Sequence, residues 1–280
     1  MNKFIKTKQY KQFAEFCKAC HRDQYIGLCY GSAGAGKTEA AKHYSNWHHV
    51  RKHFDDPSDR VLYLDDNTGS YSYKPRPAIT FSMSRLHSIL YTPSLLASPR
   101  DIIQQIRHEQ RLFSLLKERF LHPDGIPEEV RIENRNFAEL VIIDESERLK
   151  PLAFELIREL YDEAGTSFIF IGMPGIEKTI ERFPQLYSRV GFVHQFKNLG
   201  KGEVAFIISR HFSKLGVSID EKDFGDQEAI SAIIRMTNDN FRLINRLLKQ
   251  SYRIMQVNCM TSLTTEILDG ARKCLLIGER

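Results

Sequence analysis

The sequence predicts an α/β core, a parallel five-stranded sheet with helices on both faces, followed by a small all-helical domain. Three observations carry that prediction. Short all-apolar runs, such as Leu140–Ile143 and Phe168–Ile171, alternate with segments of helical periodicity, and strands apolar on both sides belong in a parallel sheet covered twice. A glycine-rich turn, Gly31 to Thr38, joins the first apolar run to the first helix behind it. After about residue 198 the strand signals stop. A chain of 280 residues, 42% hydrophobic and 27% charged, has the material for one large and one small domain, and its composition excludes a collagen-like or coiled-coil chain. The expected divisions are an N-terminal helical extension over 1–24, the core over 25–197 and the helical domain over 198–280.

The elements follow in order. Phe13, Phe16, Cys17 and Cys20 recur at i, i+3, i+4, i+7, the apolar stripe of a helix over Lys8–His21. The same cysteines, with His21, spell the C-x-x-C-H pattern of haem attachment and half of a zinc site. The helical stripe is the preferred reading, because haem attachment of that kind needs an exported chain and no second metal-spaced pair appears. Tyr25–Tyr30 reads as a buried strand, Glu39–Val50 as a helix and Val61–Asp65 as a second strand. A Ser-, Tyr- and Pro-containing stretch, Asn67–Pro77, precedes two amphipathic segments, Ser84–Tyr91 and Pro99–Leu121. His122–Asn136 reads as a loop. Leu140–Ile143 is then a strand, Pro151–Glu163 a helix with proline in its first turn, and Phe168–Ile171 and Val190–Phe196 two further strands. Helices are expected over Glu203–Leu215, Gln227–Thr237, Asn240–Gln256 and Thr264–Leu276.

No apolar run approaches the roughly 20 residues needed to span a bilayer. The opening residues, Met1–Lys11, are basic without an apolar core or cleavage site, so a cytoplasmic protein is expected. The formal charge of +5 is unevenly placed: +4 over residues 1–30, −1 over 31–70, +5 over 71–120 and −3 over 121–280. A basic first 120 residues is compatible with a polyanionic partner.

The glycine-rich turn carries the chemistry. Gly31, Ser32, Ala33, Gly34, Ala35, Gly36, Lys37 and Thr38 fit the nucleotide phosphate-binding pattern G-x-x-x-x-G-K-[ST] without mismatch. Its glycines let backbone N–H groups wrap the phosphates, Lys37 reaches the β- and γ-phosphates, and the Thr38 hydroxyl takes a place on Mg²⁺. The following helix, opening with Glu39, points its positive end at the phosphates, which makes ATP with Mg²⁺ the expected ligand. The complementary half of such a site is a carboxylate at the end of a neighbouring strand. Val141-Ile-Ile-Asp144-Glu145 supplies it, with Asp144 expected in the Mg²⁺ shell and Glu145 placed to polarise the attacking water. Positive charge for the departing γ-phosphate has two candidates, Arg189 in Tyr187-Ser188-Arg189-Val190 and Arg182.

This order of landmarks, completed by Asp239-Asn240-Phe241-Arg242 in the helical domain, resembles the AAA+ ATPases. The resemblance implies an AAA+ P-loop core with a helical lid. It also implies that Arg189 is an arginine finger supplied to the adjacent subunit, and that Arg242 is a second sensor reaching the γ-phosphate of its own chain. Within the class, Val141–Lys150, Phe168–Pro174 and Asn240–Leu248 are similar to the transposition regulators of the TnsC, TniB and MuB type. What that implies is an ATP switch that assembles as a ring or filament on double-stranded DNA and recruits a transposase together with target-selection proteins. One position departs from the pattern: the first sensor falls at Met173, which cannot orient a water by hydrogen bonding, so either a neighbouring side chain replaces it or hydrolysis is slow.

The +5 segment lies between the two halves of the expected ATP site. Lys74, Arg76 and Arg85, interleaved with Tyr71 and Tyr73, and Arg107 with Arg111 one helical turn apart, are the expected contacts to DNA phosphates. The N-terminal cluster Lys3, Lys6, Lys8 and Lys11 is a second candidate contact or a solubilising tail. Two other functions use the same parts: a helicase loader or replication initiator, and a nucleotide-gated scaffold with little turnover.

Overall fold

Five strands pair into one parallel sheet, two of whose inner members are buried along their whole length. In the computed structural model, which describes residues 4–47, 50–51, 63–64, 71–72, 86, 88–121, 138–213 and 223–275, the strands of this sheet are β1 (Ile26–Tyr30), β4 (Ile89–Tyr91), β5 (Leu140–Ile143), β6 (Ser167–Gly172) and β7 (Val190–Gln195). They lie in the order β4-β5-β6-β1-β7, every neighbouring pair parallel. Every residue of β5 and β6 is buried, while the edge strand β7 alternates between half-buried and exposed positions.

Successive side chains of a strand point to opposite faces, so register assigns the two sides of the sheet. Leu28, Phe170, Ile143 and Tyr91 align on one face. They share a core with Ile102, Ile106 and Phe113 of α3 (Pro99–Leu121) and with Phe154 and Ile157 of α4 (Pro151–Ala164). Gly27, Ile169 and Ile142 align on the other face, against α1 (Lys8–Arg22). A methyl group on Gly27 would fall 2.5 Å from Cys20 Sγ and 2.7 Å from the Phe16 ring, so only glycine lets the helix lie this close. Phe13, Cys17 and Cys20 are fully buried here. Burial pushes the Cys20 thiol up to about 12 and raises that of Cys17, which keeps both neutral and unreactive.

The helix boundaries have local causes. Ser98 and Asp101 exchange backbone and side-chain hydrogen bonds in a capping box at the start of α3. Pro151 opens α4, and Gly165 in the left-handed region closes it. The helix α2 (Lys37–Ser45) follows the glycine-rich turn, and two short helices, α5 (Ile176–Ile180) and α6 (Pro184–Tyr187), connect β6 to β7.

The second strand differs from the expectation. Tyr63–Leu64 (β2) pairs antiparallel with Tyr71–Ser72 (β3), and the parallel sheet takes Ile89–Tyr91 from the end of the segment read as amphipathic. Val61, Asp65 and the loop expected over His122–Asn136 lie outside the described residues.

The chain folds as two compact units, one comprising Phe13–Tyr30 and Thr38–Gln195, the other Met1–Gln12, Gly31–Lys37 and Phe196–Arg280. The second holds α7 (Lys201–Ser213), α8 (Phe224–Thr237), α9 (Phe241–Val257) and α10 (Thr265–Cys274). Its core joins Val204, Ile208, Phe212, Ile233, Leu247 and Leu268. Asp223, Asn240 and Thr264 cap α8, α9 and α10 with side-chain oxygens on first-turn amides.

Candidate nucleotide-binding site

The phosphate loop is held from behind by the start of α9. Gly34 sits at φ +78°, and a Cβ there would lie 2.5 Å from Asn240 Oδ1 and 2.8 Å from Arg242 Cβ. Asn240 Nδ2 donates to Ala33 O at 2.6 Å, while its Oδ1 accepts from the amides of Arg242 (3.1 Å) and Leu243 (3.2 Å). The Arg242 amide also reaches Gly34 O at 3.2 Å. One side chain therefore caps a helix and anchors the loop through a loop carbonyl rather than a loop amide. Ser32 Oγ donates to Asn198 Oδ1 at 2.9 Å, a second anchor, here between two side chains. Lys37 Nζ folds back onto the carbonyls of Gly31 and Ser32, and those bonds are what phosphate oxygens would replace. Glu39 is exposed and pairs with Lys42 at 3.3 Å.

At the carboxyl edge of the sheet, β5 delivers Asp144 and Glu145. Asp144 is 2% exposed, its amide donates to Tyr91 O at 2.8 Å and its Oδ1 accepts from the Glu145 amide at 3.0 Å. Glu145 adopts φ 53°, ψ 45°, a left-handed conformation that a non-glycine residue holds only under constraint from its surroundings. Its carboxylate pairs with Arg148, whose Nη1 donates to Pro93 O at 3.1 Å. β6 lies between β5 and β1 in the sheet, and Met173 follows its last residue, 37% exposed.

Arg189 stands at the amino edge, where its carbonyl accepts from the Ile26 amide at the start of β1. Its guanidinium clasps Asp162 with two bonds, Nε to Oδ1 at 2.6 Å and Nη2 to Oδ2 at 2.8 Å, and also donates to Gln185 O. The hydrogen bond from Arg189 holds the Asp162 carboxyl below its usual range. Asp162 also accepts from Arg158 Nη1 at 2.8 Å. Five residues of strand, about 17 Å, separate this edge from the carboxyl edge.

Among the expected DNA contacts, Arg107 and Arg111 lie on α3, Arg107 paired with Glu163 at 3.2 Å. Lys74, Arg76 and Arg85 lie outside the described residues. The sequence motifs assign no role to Asn240, Asp162 or Arg148 as individual side chains. Only the first had a local signal, an asparagine immediately before a helical run.

Residues 20–180 match the AAA domain family. A "Potential ATP-binding protein" of Staphylococcus aureus is 40% identical over 99% of this chain and 98% of its own. The chain belongs to the AAA+ ATPase family. Among solved structures, this AAA+ chain is similar to the Thermotoga maritima RuvB Holliday junction branch migration motor (TM-score 0.55, 15% identity, 95% of this chain and 68% of that one). It is also similar to the ADP form of the Aeropyrum pernix ORC2 protein (TM-score 0.56, 13% identity, 97% and 69%). At these identities the likeness concerns the fold. The protein is thus an ATPase, and no helix among its described residues is long and apolar enough to cross a membrane.

Proposed function

We propose that this AAA+ ATPase is a DNA-bound switch of the transposition-regulator type, oligomeric on duplex DNA in its ATP state and recruiting a transposase with its target-selection factors. The observation that carries the oligomer is the position of Arg189. An arginine at the amino edge of the sheet, a strand's length of about 17 Å from the edge that bears Asp144 and Glu145, is out of reach of a phosphate held beside those two acids. It serves instead the ATP of a neighbouring copy. In this reading the loop amides of Gly31–Thr38 hold the phosphates of ATP, Lys37 pairs with the β- and γ-phosphates, Arg242 contacts the γ-phosphate from its own chain, and Glu145 orients the attacking water.

Thr38 and Asp144 offer hard oxygen donors of the kind Mg²⁺ takes, and the burial of Asp144 at a strand end fits that use. The ion, when bound, neutralises charge on the β- and γ-phosphates. Residues 198–280 act as the lid, and Lys74, Arg76, Arg85, Arg107 and Arg111 contact DNA phosphates with little sequence preference. Glu145 paired with Arg148, and Met173 in place of a polar first sensor, support slow hydrolysis, which suits a switch whose ATP state does the work.

Electron microscopy of the protein with duplex DNA tests this. Rings or filaments with ATP that disperse with ADP are expected. Single particles in both states would defeat the oligomer.

A further inference from the structure

α9 is amphipathic in an unusually one-signed way. Its inner face, Ile244, Leu247, Leu248, Ser251 and Met255, is buried in the C-terminal core. Opposite it stand Arg242, Arg246, Lys249 and Arg253, all exposed. At 3.6 residues per turn these four fall within about 60° of the helix circumference, a row about 16 Å long. The helix carries no acidic residue, and none of the four side chains makes an ion pair or hydrogen bond among the described residues. On α3, by contrast, Arg107 is matched by Glu163, and on α4 Arg158 is matched by Glu155 and Asp162.

A solvated helix face ordinarily mixes both signs, because like charges four residues apart repel. Arg242 has the γ-phosphate assigned to it above, whereas Arg246, Lys249 and Arg253 keep their mutual repulsion unless another anion relieves it. A membrane surface is a poor fit, since the apolar face that would enter a bilayer is already used in the core. A nucleic-acid backbone fits: each strand of a duplex presents one charge per roughly 3.4 Å of helix axis, a continuous line of anions for a row of cations about 5 Å apart.

We infer that the outer face of α9, through Arg246, Lys249 and Arg253, is a contact for the phosphate backbone of duplex DNA, apart from the residue 71–120 segment. This rests on the DNA-binding reading above and gives that reading a second, located surface. The surface also starts one helical turn beyond the point where the phosphate loop is anchored. Asn240 and the Arg242 amide tie the first turn of α9 to Ala33 and Gly34, so a change of loop shape with the nucleotide is passed to the helix that bears the row.

The test is fluorescence polarisation on a labelled duplex of mixed sequence, with ATP, across a range of salt concentrations. Wild type is compared with the triple variant Arg246→Gln/Lys249→Gln/Arg253→Gln and with Arg246→Lys/Arg253→Lys. Arg242, assigned to ATP, is left in place. The triple variant should bind about tenfold more weakly or worse, with the slope of log affinity against log salt reduced by about 2 to 3 at roughly 0.9 per lost phosphate contact. The lysine variant should bind as wild type, since a phosphate contact needs only the charge. KM for ATP without DNA should be unchanged in both, which also shows that they are folded. Should the triple variant lose that ATPase, the single variant Lys249→Gln is read instead, with a slope reduced by about 1. A wild-type slope and affinity in the glutamine variants would overturn the assignment and leave DNA binding to other residues. Failure of wild type itself to bind duplex would instead remove the DNA-binding reading on which it rests.

Discussion

Gly34→Ala is the substitution whose cost the structure specifies most fully. At φ +78° an alanine gives up about 1 kcal/mol to the left-handed backbone. Its Cβ would stand 2.5 Å from Asn240 Oδ1 and 2.8 Å from Arg242 Cβ, so Asn240 has to move. Moving it loses the 2.6 Å bond to Ala33 O, worth about 1 kcal/mol, and the cap on Arg242 and Leu243, worth about 1 kcal/mol. The sum, about 3 kcal/mol, corresponds to roughly two orders of magnitude in nucleotide affinity if ATP requires the anchored loop. The assay is titration with a fluorescent ATP analogue on wild type, Gly34→Ala, Asn240→Ser and the double variant. Serine is shorter and still caps a helix, so it makes room for the methyl group while giving up the bond to Ala33. The two substitutions should then be non-additive by about 1 kcal/mol or more. Strict additivity would refute the argument, because it would mean that Gly34 and Asn240 do not meet.

Other expectations follow from the same contacts. With Arg189 acting on a neighbouring copy as proposed, Asp162→Asn, which loosens its clasp, should raise ATP turnover severalfold at protein concentrations where assembly is incomplete, while Arg189→Ala should abolish the concentration dependence. An Asp162→Asn enzyme that behaves as wild type beside an impaired Arg189→Ala would show that the clasp restrains nothing. His194, stacked on Phe16 at 5.5 Å and next to Phe13, is held by burial below its ordinary pKa. The unfolded chain therefore takes up that proton first, so stability present above about pH 6.5 is lost as pH falls through the lower folded value. The melting temperature of wild type should drop more between neutral pH and about pH 5.5 than that of His194→Gln, and equal drops would place the acid sensitivity elsewhere.

What could be read in advance divides by sequence separation. The strands β5 and β6 announced themselves as unbroken apolar runs, and α3 and α4 by periodicity with Pro99 and Pro151 at their starts. β4 did not. Only three of its residues pair, too few to show a period, and the preceding Arg85 and His87 made the segment look amphipathic. Val61–Asp65 has the composition of a strand, and its centre pairs with Tyr71–Ser72 rather than with the sheet. The Gly31–Thr38 turn and Asp144-Glu145 stood out because each is a continuous motif, and the structure places the first ahead of α2 and the second directly after β5. The contacts that tune them did not. Asn240 meets Ala33 across 207 positions, and Asp162 meets Arg189 across 27. Arg148, three residues from Glu145, was in plain view, but its role depends on the left-handed turn at Glu145 that brings the two side chains together.

In the proposed function, ATP held by the Gly31–Thr38 loop switches the protein onto duplex DNA. The most direct measurement is the equilibrium affinity of the Glu145→Gln variant for duplex DNA with ATP and with ADP, beside Lys37→Ala. Glu145→Gln should hydrolyse ATP far more slowly than the parent and bind duplex tightly with ATP and weakly with ADP, while Lys37→Ala binds weakly under both conditions. Equal affinity of Glu145→Gln in the two nucleotide states, or tight binding by Lys37→Ala, would contradict the switch.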